Sequence, residues 1–289
     1  MECEVAGRGP RNGPETAMAK AHWQGRLSLR FSARDGRTVL VGRRHEGPLC
    51  VQRPFYPEGP APCHVYVLHP PGGVVGGDGL RLDIAVEQGA RALVTTPGAT
   101  KLYRSAGAEA AIVQDFAVAD GGCLEWLPQE TIVHDGALAR QETAVELAGN
   151  AAFAGWEICC LGLGAARERF GAGFFGQGLR LARDGRPLFA DRCHFTGGSS
   201  MLEEAWGLGT HRVCGLFVAT LPADDSCAPD LATLPTAGGA AFDSFDGLLV
   251  GRYIGRDAWE AKRLFGAAWA FWRERTIGLP LCPPRIWNT

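Results

Sequence analysis

Asp78 and Asp191 are the residues of this chain whose surroundings ask most for chemistry. Asp78 ends the run Leu68-His69-Pro70-Pro71-Gly72-Gly73-Val74-Val75-Gly76-Gly77-Asp78-Gly79, with five glycines and two prolines, and Asp191 follows the apolar Leu188-Phe189-Ala190. A charge in such a place is expensive without a partner. The ordinary reading is that each carboxylate caps a turn or pairs with an arginine. The sharper reading is a polar path through a β body, in which acidic groups attract a divalent cation without holding it tightly. His69, His134, Cys193 and His194 are the further ligands such a path would use. A tight site made from His69, Asp78 and Asp191 would instead suit a metal-dependent hydrolase.

Other chemistries fail on spacing. Gly76-Gly77-Asp78-Gly79 lacks the helix that must open directly after a dinucleotide fingerprint. Pro97-Gly98-Ala99-Thr100-Lys101 lacks the upstream glycine of a phosphate loop and reads as a β-turn. Gly197-Gly198-Ser199-Ser200-Met201 misses the last glycine of a nucleophile elbow, and no spacing rule couples Glu130, His134 and Asp135 as acid and base. The ten cysteines include no Cys-x-x-Cys pair. Cys159 with Cys160, Cys63 with His64 and Cys193 with His194 are neighbours, but adjacent side chains on a strand point to opposite faces. Most of the thiols are therefore expected to be small buried hydrophobes. Met1 to Lys20 shows no secretory signal and no apolar run reaches 18 residues, so reduced thiols and a cytoplasmic location are expected. A formal net charge of −2 leaves no electrostatic footprint for nucleic acid or an anionic membrane.

The elements that must carry these residues are mainly strands. Forty glycines alongside 46% hydrophobic residues favour short strands and tight turns over disorder. Leu27, Leu29, Phe31 and Ala33 alternate with polar residues up to Asp35-Gly36, and Thr38 to Val41 return, which is a hairpin. Leu179 to Arg183, Asp184-Gly185 and Leu188 to Ala190 repeat the device. Arg81 to Glu87 alternates as a half-wet strand, and Val65 to Leu68, Arg91 to Thr95, Ala111 to Val118, Cys123 to Leu127 and His211 to Leu221 add further strands. The short Asp-Gly connections favour antiparallel pairing. Asp257 caps the clearest helix, with Ala261, Leu264, Phe265, Ala268 and Trp272 at helical spacing and a stop at Gly278. The expectation is one large β domain over residues 21–289, sandwich-like or β-helical, of mostly antiparallel strands with about two helices. Residues 1–20 read as a disordered tail and Pro222 to Ala241 as a mobile loop.

Several strings in one order give the chain a resemblance. Arg53-Pro54-Phe55-Tyr56-Pro57-Glu58, Leu68 to Asp78, Thr95 to Ser105, Leu124 to Gly136, Gly155-Trp156-Glu157 and Cys282-Pro283-Pro284-Arg285-Ile286-Trp287 are similar to the urease accessory protein family called UreD or UreH. The resemblance covers most of residues 21 to 289. It implies a β scaffold without catalysis, which links apo-urease to UreF and, through UreF, to the GTPase UreG. It also implies no tightly bound cofactor and transient passage of a nickel ion. The candidates for that path are Asp78, Asp191, His69, His194 and Cys193.

Overall fold

Alternation of apolar and polar residues builds the first hairpin of the computed structural model, which describes residues 22–162, 168–222, 227–229 and 234–288. The segment read as a disordered tail, residues 1–20, lies outside the described residues. Strand β1 (Gln24–Arg34) buries Leu27, Leu29 and Phe31 and pairs with β2 (Arg37–Glu46). Asp35 and Gly36 between them have φ of 50° and 75°, the left-handed pair that a two-residue type I′ turn requires. Asp184-Gly185 joins β13 (Phe174–Arg183) to β14 (Arg186–Thr196) in the same way, with φ of 51° and 73°.

Between these hairpins the chain coils. Strands β4 (Cys63–Leu68), β6 (Arg91–Thr95), β9 (Cys123–Leu127) and β12 (Ala152–Leu161) lie side by side in one sheet. Strands β5 (Gly79–Val86), β8 (Ala110–Val118) and β11 (Leu138–Leu147) lie between β1 and β13 in the other. The chain alternates between the sheets, so each strand and the next one in its own sheet run parallel. The expected antiparallel pairing is thus corrected. It holds only at the margins: β1 with β2, β13 with β14, the short β3 (Cys50–Val51) with β4, and β12, β15 (Val213–Thr220), β17 (Leu248–Gly255) and β16 (Gly239–Phe245) in succession. Parallel strands need a long crossover, and here a strand of the facing sheet serves in place of a helix. The mainly β body with two helices, β-helical in its stacked coils, is as expected.

The corners of the coil repeat. Ala90 N donates to Glu87 O, Gly122 N to Ala119 O and Ala151 N to Ala148 O, at 2.9 to 3.0 Å, and each corner has a glycine at positive φ. Of the segment read as a loop, residues 239–241 belong to β16, and part of the remainder, 223–226 and 230–233, lies outside the described residues.

Two apolar layers result. One fills the space between the sheets, with Phe31, Phe116, Trp126, Phe153 and Phe175. The other lies on the outer face of the second sheet, where helix α2 (Ala258–Trp272) presses Leu264, Phe265, Trp269 and Trp272 onto Trp156 and Phe217. Asp257 caps the helix by accepting from Trp259 N at 2.8 Å, as its position predicts. The helix ends in a wider π-type turn, Arg273–Ile277, closed by Gly278 at φ 64°. A shorter helix, α1 (Ser200–Glu203), follows β14.

Arg273 anchors that end. Its guanidinium is fully buried between Glu58, reached at 2.8 and 2.9 Å, and Glu125 of β9, reached at 2.9 and 3.1 Å. Trp269 Nε1 also donates to Glu125, at 2.5 Å, and His64 Nε2 lies 2.7 Å from Glu58. Burial alone would push the Arg273 proton off, but hydrogen bonds and charge from both glutamates overcome this and raise its pKa.

The glycine-rich turn owes its path to backbone contacts. Val74 is hydrogen-bonded to β7 (Thr100–Leu102) through Lys101 O at 2.7 Å, and Gly77, at φ 92°, lies where a Cβ would enter the His22 ring. The Asp78 carboxylate accepts from Trp23 N at 2.9 Å and Val75 N at 3.0 Å. Asp78→Ala leaves both N–H groups without this acceptor, so an unfolding free energy lower by about 1–3 kcal/mol is expected in urea titrations. A change within about 0.5 kcal/mol would mean the turn does not depend on that cap.

Candidate functional site

The space between the sheets is not wholly apolar. Inward positions of adjacent strands supply a polar band: Gln114 from β8, Gln141 and Thr143 from β11, Thr131 from β10 (Thr131–Val133), Glu157 from β12 and Gln177 from β13. Parallel register sets Thr143 beside Gln114 and Gln141 beside Gln177. Polar groups buried at such depth must satisfy one another.

They do so incompletely. Thr143 Oγ1 lies 2.8 Å from Gln114 Oε1 and also within hydrogen-bond reach of Glu157 Oε1. A hydroxyl has one proton to give. When Glu157 is protonated it can donate to Thr143, which passes its own proton toward Gln114. When Glu157 is ionised, Thr143 must choose between them. Among the described residues, the second carboxyl oxygen, Glu157 Oε2, and Gln177 Nε2 are buried without a hydrogen-bond partner. Burial pushes the Glu157 carboxyl up to about 7, against Thr143, Gln141 and Gln177, which favour the charged form, and with the charge of Asp191.

Glu157 lines two cavities. One, of about 220 Å³, extends past Gln114, Thr131 and Gln141 to His69, Gly72 and the Thr96 to Thr100 turn. The other, of about 470 Å³, is lined by Gln177, Asp191, Cys193, Cys214 and Arg252 and reaches the sandwich edge at β16. Asp191 accepts from Arg252 Nη2 at 2.6 Å, and Cys193 Sγ lies 3.8 Å from its other oxygen. Burial pushes the Cys193 thiol up to about 11. Cys159 and Cys214 face each other across β12 and β15. A hydrogen bond to Cys214, then burial, raises the Cys159 pKa. At neutral pH this second cavity therefore presents a protonated Cys193 and an arginine-paired carboxylate. Such groups interact with a cation weakly until it displaces the proton or the arginine.

The residues singled out in the sequence divide accordingly. His69 lines the first cavity and is half-buried; burial lowers its pKa while the charge of Asp78 opposes. Asp191 and Cys193 meet in the second. Asp78 lines neither and caps its turn, and Asp191 has its arginine, so the ordinary reading of both carboxylates is realised. His194 is exposed on the opposite face from Cys193, its ring 5.7 Å from that of Phe174. His134 is held apart, with Nδ1 2.8 Å from Glu168 and its ring stacked on Tyr103. His69 and Asp191 line separate cavities, so the constellation expected of a hydrolase is not assembled. Among the described residues no three His, Cys, Asp or Glu side chains converge in a way that could hold a metal ion.

Glu157 entered the sequence reading only as part of a family string, and Gln114, Gln141 and Gln177 not at all. The signal for Glu157 was available: it is the one charged residue in the otherwise apolar strand Ala-Phe-Ala-Gly-Trp-Glu-Ile-Cys-Cys-Leu. Among the described residues no helix is long and apolar enough to cross a membrane.

Residues 24–288 match the family model described as UreD urease accessory protein. The chain is 45% identical over 273 residues to the urease accessory protein UreD of Azoarcus sp. (strain BH72), covering 94% of this chain and 96% of that one. It is 44% identical to the UreD of Dechloromonas aromatica (strain RCB), covering 92% and 95%, and 39% identical to that of Nitrosococcus oceani, covering 100% and 97%. With the family model matching nearly the whole described chain and such relatives covered almost end to end, the chain belongs to the UreD family of urease accessory proteins.

Proposed function

We propose that this protein is a cytoplasmic, non-catalytic adaptor for nickel insertion into urease, bridging apo-urease to UreF and, through UreF, to the GTPase UreG. Nickel is its cargo and passes between the two sheets, from the His69 end past Glu157 to the Asp191 and Cys193 end or in the reverse direction. The observation that carries this reading is Glu157, a buried carboxyl with one unpartnered oxygen where two internal cavities share a wall. A group that titrates near neutrality can take up a divalent cation on losing its proton and release it on regaining one. The weak ligands beyond it suit passage better than storage.

Co-expression tests the adaptor role. Urease subunits expressed with every other maturation protein but without this chain are expected to accumulate as nickel-poor, inactive apo-urease. Affinity-tagged full chain is expected to retain UreF and apo-urease together. Full nickel content without the chain, or no retention of either protein, would remove the proposal.

A further inference from the structure

The main strand order of each sheet ends in two edge strands, and three of these four ends carry devices that discourage a further strand; the side branch through β10 ends at β7, where Val74 bridges to Leu102. Edge β2 has Arg43, Arg44 and His45 and a break in register opposite Arg30 and Phe31. Edge β14 has Arg186, Pro187 and Arg192 and a break at Leu181 and Ala182. Edge β3 is two residues long. The fourth, β16, runs Gly239-Ala240-Ala241-Phe242-Asp243-Ser244-Phe245 in unbroken register with β17, without proline, lysine or arginine. Among the described residues no strand lies beyond it.

The hairpin turn fixes which backbone groups face outward. Asp246 and Gly247 have φ of 50° and 73°, a type I′ turn, so Phe245 and Leu248 form the hydrogen-bonded closing pair. Alternation then points the N–H groups of Ala240, Phe242 and Ser244 away from β17. That of Ser244 donates to the Asp243 carboxylate at 2.8 Å, which confirms the phase. Ala241 lies opposite Arg252 and Asp243 opposite Val250, so their side chains stand on the face toward the larger cavity, where Gly239, Ala240 and Ala241 form part of its wall.

We propose that β16 is a docking edge that accepts an extended segment of a protein partner as an added strand. Ala240 and Phe242 supply the outward backbone groups. The exposed Asp243 selects a basic residue across from it, and the exposed Phe245 an apolar one two positions along the same face. A second copy of this chain is not the occupant: a ribbon of seven residues with three small side chains buries well under the roughly 1,000 Å² that a stable interface needs. A flexible tail pairing through its main chain does not need that area. The added strand would border the opening of the cavity at the Asp191–Arg252 pair. The inference does not depend on nickel passing there.

The test uses the full chain and an acetylated, amidated seven-residue peptide, Lys-Thr-Val-Thr-Lys-Thr-Val, one face of which alternates lysine with valine. Titration is expected to show saturable binding, with slowed exchange of the Ala240 and Phe242 amides. Affinity is expected to fall by at least about tenfold for a peptide N-methylated at alternate residues, and by a similar factor for Ala240→Pro, which removes an outward N–H but no bond to β17. Asp243→Lys, which leaves the backbone intact, is expected to weaken the lysine peptide and to favour a glutamate–valine one. Absence of binding would overturn the proposal, as would binding insensitive to N-methylation and to both substitutions. Concentration-dependent dimerisation of the free chain that Ala240→Pro abolishes would also overturn it, by assigning the edge to a second copy.

Discussion

Arg273→Met is expected to lower the unfolding free energy by about 3–5 kcal/mol, the largest stability effect of any single substitution considered for this chain. The magnitude follows from what remains. Without the guanidinium, Glu58 and Glu125 are two buried carboxylates with their strongest shared partner gone, and the end of α2 loses its tie to β9 and to the segment carrying Glu58. Glu58 depends on it directly: burial would raise its pKa, yet hydrogen bonds from His64 and Arg273 hold it below the ordinary value. Denaturant titration followed by tryptophan fluorescence reads the loss. If Arg273→Met fails to fold, the double variant Arg273→Met with Glu125→Leu is the informative one. Removing charges of both signs should recover a substantial part of the deficit, because an apolar replacement of a buried pair is often neutral. A loss below about 1 kcal/mol for Arg273→Met, or a double variant no better than the single, would show that the network is not what holds the helix.

Glu157→Gln is expected to reduce urease activation several-fold while making the chain itself more stable at alkaline pH. The folded chain keeps the Glu157 proton up to about pH 7, whereas the unfolded chain loses it near the ordinary carboxylate pKa of about 4.3. Between those values the native state binds more protons than the unfolded one. Stability therefore falls as pH rises through that window, and levels off above it. Glutamine keeps the shape without the ionisation, so its stabilising effect should be larger at pH 8 than at pH 5. Unfolding midpoints at the two pH values measure this half of the prediction. Nickel per urease active site, with UreF and apo-urease still co-purifying, measures the other. An equal effect at both pH values would mean that Glu157 does not titrate as described. Unchanged nickel loading would take Glu157 out of the path.

Local rules made much of the architecture legible. Asp35-Gly36 and Asp184-Gly185 announced their hairpins because only a few residue types accept positive φ at both turn positions. Asp246-Gly247 carries the same signal, and the loop expected over Pro222 to Ala241 overlaps only the first three residues of the strand it closes, β16. The helix from Ala258 followed from its capping aspartate and its spacing of apolar residues. The hairpin rule misled when extended to the whole body, since a connection that crosses to the other sheet leaves no mark on the turn residues themselves. The recurrence of similar corners near residues 87, 119 and 148 is the trace of the coil in the sequence. It is faint because a β-helix corner asks for backbone geometry more than for particular side chains.

The sequence by itself determined the family, the strand-rich class, the hairpins and the helix, and narrowed Asp78 and Asp191 to a turn cap or an arginine partner on the one hand and a cation path on the other. Only the tertiary structure decided the site, and Glu125 and Glu157 give the reason. Each is a lone glutamate in an apolar strand covered on both faces. Parallel pairing sets Glu125 beside Ala154 and Trp126 beside Gly155, which turns Glu125 toward α2 and Arg273 and leaves Glu157, on the other parity, between the sheets. A two-residue period distinguishes two faces, but it does not say which face meets an arginine and which a cavity. That assignment depends on coils stacked from distant parts of the chain, whose contacts exist only once it has folded.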